Sequence, residues 1–107
     1  MTDTKTIILG DHLPSNKRIL SGRDTGEAAR KRYKLDVLDA DDETIIVKIP
    51  DKIWTLSASF FLGCFGNSVR KLGEDNFRKK YIFDCDELFI PNIDDGIYRA
   101  LHTSGEL

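Results

Sequence analysis

The stretch from Trp54 to Gly73 constrains the fold more than any other part of the chain. It opens as the end of an apolar strand, passes two serines, and continues as an apolar helix that stops at a glycine. Phe61, Phe65, Val69 and Leu72 recur at spacings of four, four and three, which stacks them on one helical face while Asn67, Arg70 and Lys71 point elsewhere. The spacing predicts a core helix. Ser57 or Ser59 stands where an N-cap belongs, with a hydroxyl able to accept from a first-turn amide that lacks a partner within the helix. Gly73 stands where a left-handed stop belongs.

The other elements arrange themselves around this helix. Thr6–Leu9 and Arg18–Leu20 are short β-favouring runs on either side of Gly10-Asp11 and Pro14-Ser-Asn16, and predict an N-terminal β-hairpin. Asp24 with Glu27 three residues later has the form of a capping box, and about 12 helical residues are expected to follow, a usual length, with Ala29, Tyr33, Leu35 and Leu38 turned inward. The acidic run Asp39–Glu43 predicts a solvated loop. Thr44–Ile49 is β-branched and nearly free of polar residues, which suits a strand buried on both faces of a mainly parallel sheet. Pro50-Asp51 punctuates it, and Trp54 is expected to close the core beyond it, with an amphipathic ring that also suits an interface. Phe77 and the basic run Arg78–Lys80 precede a strand at Tyr81–Cys85. Pro91-Asn92 opens a last helix in which Ile93, Ile97, Ala100 and Leu101 share a face, ending near Ser104-Gly105. Strand and helix alternate, so the fold class is α/β, a small sandwich with a mainly parallel sheet and crossover helices.

A chain of 107 residues forms one domain. Its 16 basic and 18 acidic side chains, formal charge −2, give no global attraction to nucleic acid or to an anionic membrane. No run of about 18 apolar residues occurs, and Met1–Thr6 lacks the apolar core of a signal peptide, so a cytoplasmic protein is expected. Cys64 and Cys85 read as small buried hydrophobes, and with only His12 and His102 to join them at no metal-ligand spacing, no metal or cofactor is indicated. Neither histidine neighbours a nucleophile in sequence and no phosphate-binding glycine loop occurs, so no enzymatic activity is indicated.

Two motifs carry a resemblance. Thr25-Gly-Glu-Ala-Ala-Arg30 is similar to a Ser-Gly-Glu followed by a basic helix, and Ser57-Ala-Ser-Phe60, continuing to Phe65-Gly66 and Leu72-Gly73, is similar to a Ser-Ser-Phe helix with a Phe-Gly turn. Both are found in the STAS-like family, small bacterial and phage domains of undefined function related in fold to sulfate-transporter and anti-sigma-factor-antagonist domains. Together the motifs span most of Gly22 to Leu101. Leu62 and Gly63 stand where the family commonly carries an acidic pair. The resemblance implies a regulatory protein-interaction module. In anti-sigma antagonists a partner kinase phosphorylates a serine in the turn before the equivalent helix; Ser59 would match that hydroxyl, and Ser57 stands in place of the preceding Asp.

Ser57 and Ser59 thus have two readings. A serine here is most often a helix cap, but a helix N-terminus also favours phosphate or an acidic partner side chain. The candidate partner-binding or phosphorylation set is Ser57, Ser59, Gly63, Gly66, Asn67 and Arg70, with an ATPase-type kinase as the implied partner. Gly63 and Gly66 imply either close backbone approach or a flat surface for a partner. Thr25 and Arg30 are candidate anion contacts; the basic groups Arg30–Lys34 and Arg78–Lys80 read as solvated faces or as flanks of an anion site. The alternative is KH-like binding of single-stranded nucleic acid, with Gly63-x-x-Gly66 as the clamp loop and Arg70, Lys71, Arg78, Lys79 and Lys80 as phosphate contacts. Against it, Cys64 and Phe65 fit the apolar stripe.

Overall fold

Thr44–Lys48 carries four consecutive β-branched residues and forms the central strand of the larger sheet. The computed structural model describes residues 4–11 and 18–102. In chain order the elements are β1 (Thr4–Ile8), β2 (Ile19–Leu20), α1 (Arg23–Arg32), α2 (Leu35–Ala40), β3 (Thr44–Lys48), β4 (Thr55–Leu56), α3 (Ala58–Leu72), α4 (Glu74–Lys80), β5 (Tyr81–Asp84) and α5 (Ile90–His102), with a 3-10 turn at Glu87–Phe89. One sheet has the order β1-β3-β5 and a second, two-stranded sheet pairs β2 with β4; every pairing is parallel. The α/β fold with a mainly parallel sheet is therefore as expected.

The N-terminal hairpin does not form. β1 pairs with β3, and β2 pairs with β4, because each short run gains more by joining the ladder of a later strand than by turning back on its neighbour; residues 12–17 of the intervening segment lie outside the described residues. The register aligns Ile7 with Val47 and Val47 with Phe83 on one face, and Thr6 with Ile46 and Ile46 with Ile82 on the other. The first face is packed. The second is open, with Ile8 and Ile82 exposed and Ile46 half-buried, so β3 is buried on one face rather than two. Crossovers of one hand that all step the same way across β1-β3-β5 leave their helices on a single side.

Two further expectations are corrected. Asp24 is the second residue of α1, whose N-cap is Gly22, so no capping box forms. The helix also breaks early: Lys34 takes a left-handed conformation, φ 56°, and α2 starts at Leu35. As a result Asp39 belongs to α2 and is 5% exposed, not part of a solvated loop.

The core is the predicted stripe and its neighbours. Phe61, Phe65 and Val69 are buried, and Leu72 packs at the edge. Phe65 meets Phe77 and Phe83 edge-on at centroid distances of 5.9 and 5.4 Å, and Phe77 stacks on Tyr81 at 5.1 Å. Each such ring contributes about 1.5–3 kcal/mol by leaving water. α1 and α5 flank α3. At the α1 crossing Gly26 faces Gly63, where a Cβ on Gly63 would run into the Arg23 carbonyl oxygen and lie 3.0 Å from the Glu27 amide nitrogen. Close helix approach is thus the reason for Gly63. On α5, Ile93, Ile97 and Ala100 face inward as expected, whereas Leu101 is 38% exposed at the margin of that face; the expected end at Ser104-Gly105 lies outside the described residues. Among the described residues no helix is long and apolar enough to cross a membrane.

Candidate functional site

The turn into α3 is fixed from three directions. The Ser57 amide donates to the Leu20 carbonyl, Asn92 Nδ2 on α5 donates to the Leu56 carbonyl, and Ser57 Oγ accepts from the Phe60 amide at 3.0 Å. Ser57 is therefore the N-cap, half-buried, with its hydroxyl already engaged. Ser59, in the first turn of α3, is exposed. The same sequence places one serine as a structural cap and frees the other.

Trp54 does not close the core. It is 66% exposed, with the Arg18 guanidinium carbon 4.9 Å from its ring centroid, because β4 is a separate two-residue strand and Ile53 and Leu56 fill the positions beneath. The ring borders a crevice of about 250 Å³ with Ile49, Pro50, Ile53, Leu88 and Phe89, rimmed by Asp51 and Asp86. Leu88 is 58% exposed. These residues follow the C-terminal ends of β3 and β5, the usual place for ligands on open parallel sheets.

A second depression runs between α1 and α3. It is a groove of about 240 Å³ lined by Arg23, Glu27, Arg30 and Lys31 of α1, Asp36 of α2, and Leu62, Gly63, Asn67 and Arg70 of α3. Of the candidates read from the sequence, this groove brings together Gly63, Asn67, Arg70 and Arg30, while Ser57, Ser59 and Thr25 lie outside its lining. Arg70 is held by Nε donating to the Ala100 carbonyl and Nη1 donating to Asn67 Oδ1, each at 3.0 Å. Gly66 lies beneath it: a Cβ there would sit 3.5 Å from Nη1, in ordinary contact. Lys31, from the basic group Arg30–Lys34, lines the groove, and Arg23 and Glu27 join it without being candidates from the sequence, although their helical spacing places them on one face with Arg30.

Arg30 proves to be structural. Its Nη1 donates to the Cys64 carbonyl and Ser68 Oγ, its Nη2 to Asp39 at 2.8 Å, and its Nε to Asp36 at 3.0 Å. Burial opposes its charge, and the bonds to Asp39 and Asp36 more than offset this, raising its pKa. Ser68 and Tyr81 also donate to Asp39. The Tyr81 phenol is held well above its ordinary value, first by burial and then by the bond to Asp39. Every donor of Arg30 that faces this cluster has a partner, so its expected role as an anion contact is corrected. No local signal marks the network in the sequence, since it joins α1, α2, α3 and β5.

Gly63 and Gly66 lie inside one continuous helix and both are buried. They form no loop between helices, which removes the clamp on which the nucleic-acid alternative rests. Lys80 is likewise committed, to the Asp41 and Glu43 carbonyls and the Asp41 carboxylate. Among the described residues no cluster of three or more His, Cys, Asp or Glu could hold a metal ion. Comparison with protein-family models, curated proteins and solved structures gives no match.

Proposed function

We propose that this protein is a non-enzymatic, STAS-like regulatory module that binds a partner protein, an ATPase-type kinase in the reading that its motifs suggest. The observation that carries the reading is Trp54, an aromatic ring 66% exposed beside an apolar crevice, since such rings anchor protein interfaces more often than other residues. Ser59 is accessible in the first turn of the helix that follows, where a phosphate would meet the positive end of the helix dipole. Asp51 and Asp86 on the crevice rim suit basic groups on the partner. Phosphorylation of Ser59 would then add charge five residues along the chain from the anchor without disturbing the cap that Ser57 provides.

The test is copurification of the wild type followed by intact-mass measurement, with Trp54→Ala and Tyr98→Ala alongside. Tyr98, on α5, is 61% exposed and outside the crevice. A stoichiometric protein partner retained by wild type and Tyr98→Ala but lost from Trp54→Ala supports the proposal. Equal retention by all three, or turnover of a small molecule by the purified chain, overturns it.

A further inference from the structure

The groove between α1 and α3 has a charge pattern that the partner-binding reading leaves unused. Arg30 and Asp36 in its wall are paired with each other. Of the other charged groups lining it, Arg23, Lys31 and Arg70 are cations and Glu27 is the one carboxylate. None of the four has an ion-pair partner among the described residues. Three cations against one carboxylate leave a positive surplus of two among these four, of which the buried Asp39 carboxylate, also held by Arg30, offsets one. Arg70 is also pre-oriented, because Ala100 and Asn67 fix two of its nitrogens. Its third nitrogen, Nη2, is buried and has no hydrogen-bond partner among the described residues. A buried guanidinium donor left without an acceptor is costly, and a guanidinium fixed in this way is a strong receptor for an oxyanion.

We propose that this groove is a binding site for a doubly charged tetrahedral oxyanion, the phosphate group of a small phosphorylated ligand. Arg70 contacts it from the α3 wall, Arg23 and Lys31 supply charge from the α1 wall, and the Asn67 side-chain amide adds a neutral donor beside Arg70. A tetrahedral dianion offers more acceptor oxygens to Arg70, Arg23 and Lys31 than a single carboxylate does. The proposal does not depend on the crevice beside Trp54.

The probe is inorganic phosphate added to the full chain at constant ionic strength, read by NMR at the Arg70 Nε–H, the Asn67 side-chain amide and the Gly63 amide. Sulfate, also a tetrahedral dianion, and acetate are run in parallel. Saturable shifts at these three groups with phosphate and sulfate, and none with acetate, are the expected result. Arg70→Met weakens binding about tenfold or more, as loss of a charge-assisted hydrogen bond should. Because Arg70→Met also removes the bond to Ala100 and can perturb the fold, the double variant Arg23→Gln/Lys31→Gln, which removes only unpaired charges, is measured too; it weakens phosphate binding while leaving the spectrum of the free protein in place. Linear, unsaturated shifts, equal response to acetate, or full phosphate binding by the double variant overturns the proposal.

Discussion

Ser57 and Ser59 sit two positions apart and do different work, which single substitutions separate. Ser57 Oγ accepts from the Phe60 amide, so Ser57→Ala should lower unfolding stability by about 1 kcal/mol. Ser59 has no such bond and is exposed, so Ser59→Ala should stay within about 0.5 kcal/mol of wild type; urea melts measure both. The buried thiol and the two hydrogen-bonded phenols make a prediction about pH. Burial, and for the tyrosines a bond to a carboxylate, raises Cys64, Tyr33 and Tyr81 above their ordinary values of 9.0 for the thiol and 10.0 for the phenols. The native chain therefore keeps protons that the unfolded chain releases. The stability these groups contribute is complete below pH 9.0 and falls as pH rises beyond it. Tyr81→Phe should cost about 1–3 kcal/mol at neutral pH, because it removes a donor from buried Asp39, and should flatten this alkaline decline. Chemical denaturation at a series of pH values checks both, and a decline that is as steep without the phenol would contradict the assignment.

At the scale of elements, α3 was the most legible part of the chain, and its glycines the least. The stripe Phe61, Phe65, Val69 and a serine cap at Ser57 or Ser59 follow from spacing and local chemistry; the structure bears out the stripe and makes Ser57 the cap. Trp54 and Asp39 depart from the expectation for a common reason. Local pattern gives the period of an element but not which later strand it will pair with, nor where a helix will break at a residue such as Lys34 with a left-handed backbone. The groove could be read only in part, because Arg23, Glu27 and Lys31 gain meaning once α1 lies across α3. Gly63 and Gly66 look alike in the sequence and are separated by the packing. At Gly63 a methyl group meets the α1 backbone, and at Gly66 it meets only side-chain atoms of Arg70 and Leu62 at ordinary contact distance. Gly63→Ala should destabilise by several kcal/mol, as overpacking against backbone does, whereas Gly66→Ala should stabilise by up to about 0.8–1.0 kcal/mol from helix propensity. Thermal melts of the two variants should therefore shift in opposite directions.

For the whole molecule, the helices lie on one side of β1-β3-β5 and leave Thr6, Ile46 and Ile82 on an open face. All-parallel sheets are usually covered on both faces, which makes this face a rival to the crevice as the docking place for the proposed partner. The two surfaces are distinguishable, since Trp54 and Ile82 belong to different ends of that choice and both are exposed, at 66% and 42%. The central claim, that a protein partner is anchored at Trp54, is tested most directly by calorimetric titration of the copurified partner against wild type, Trp54→Ala and Ile82→Lys. The account predicts a loss of about 30-fold or more in affinity for Trp54→Ala, the loss expected at an interface hot spot, with Ile82→Lys binding as wild type does; unchanged affinity for Trp54→Ala together with a loss for Ile82→Lys would contradict it.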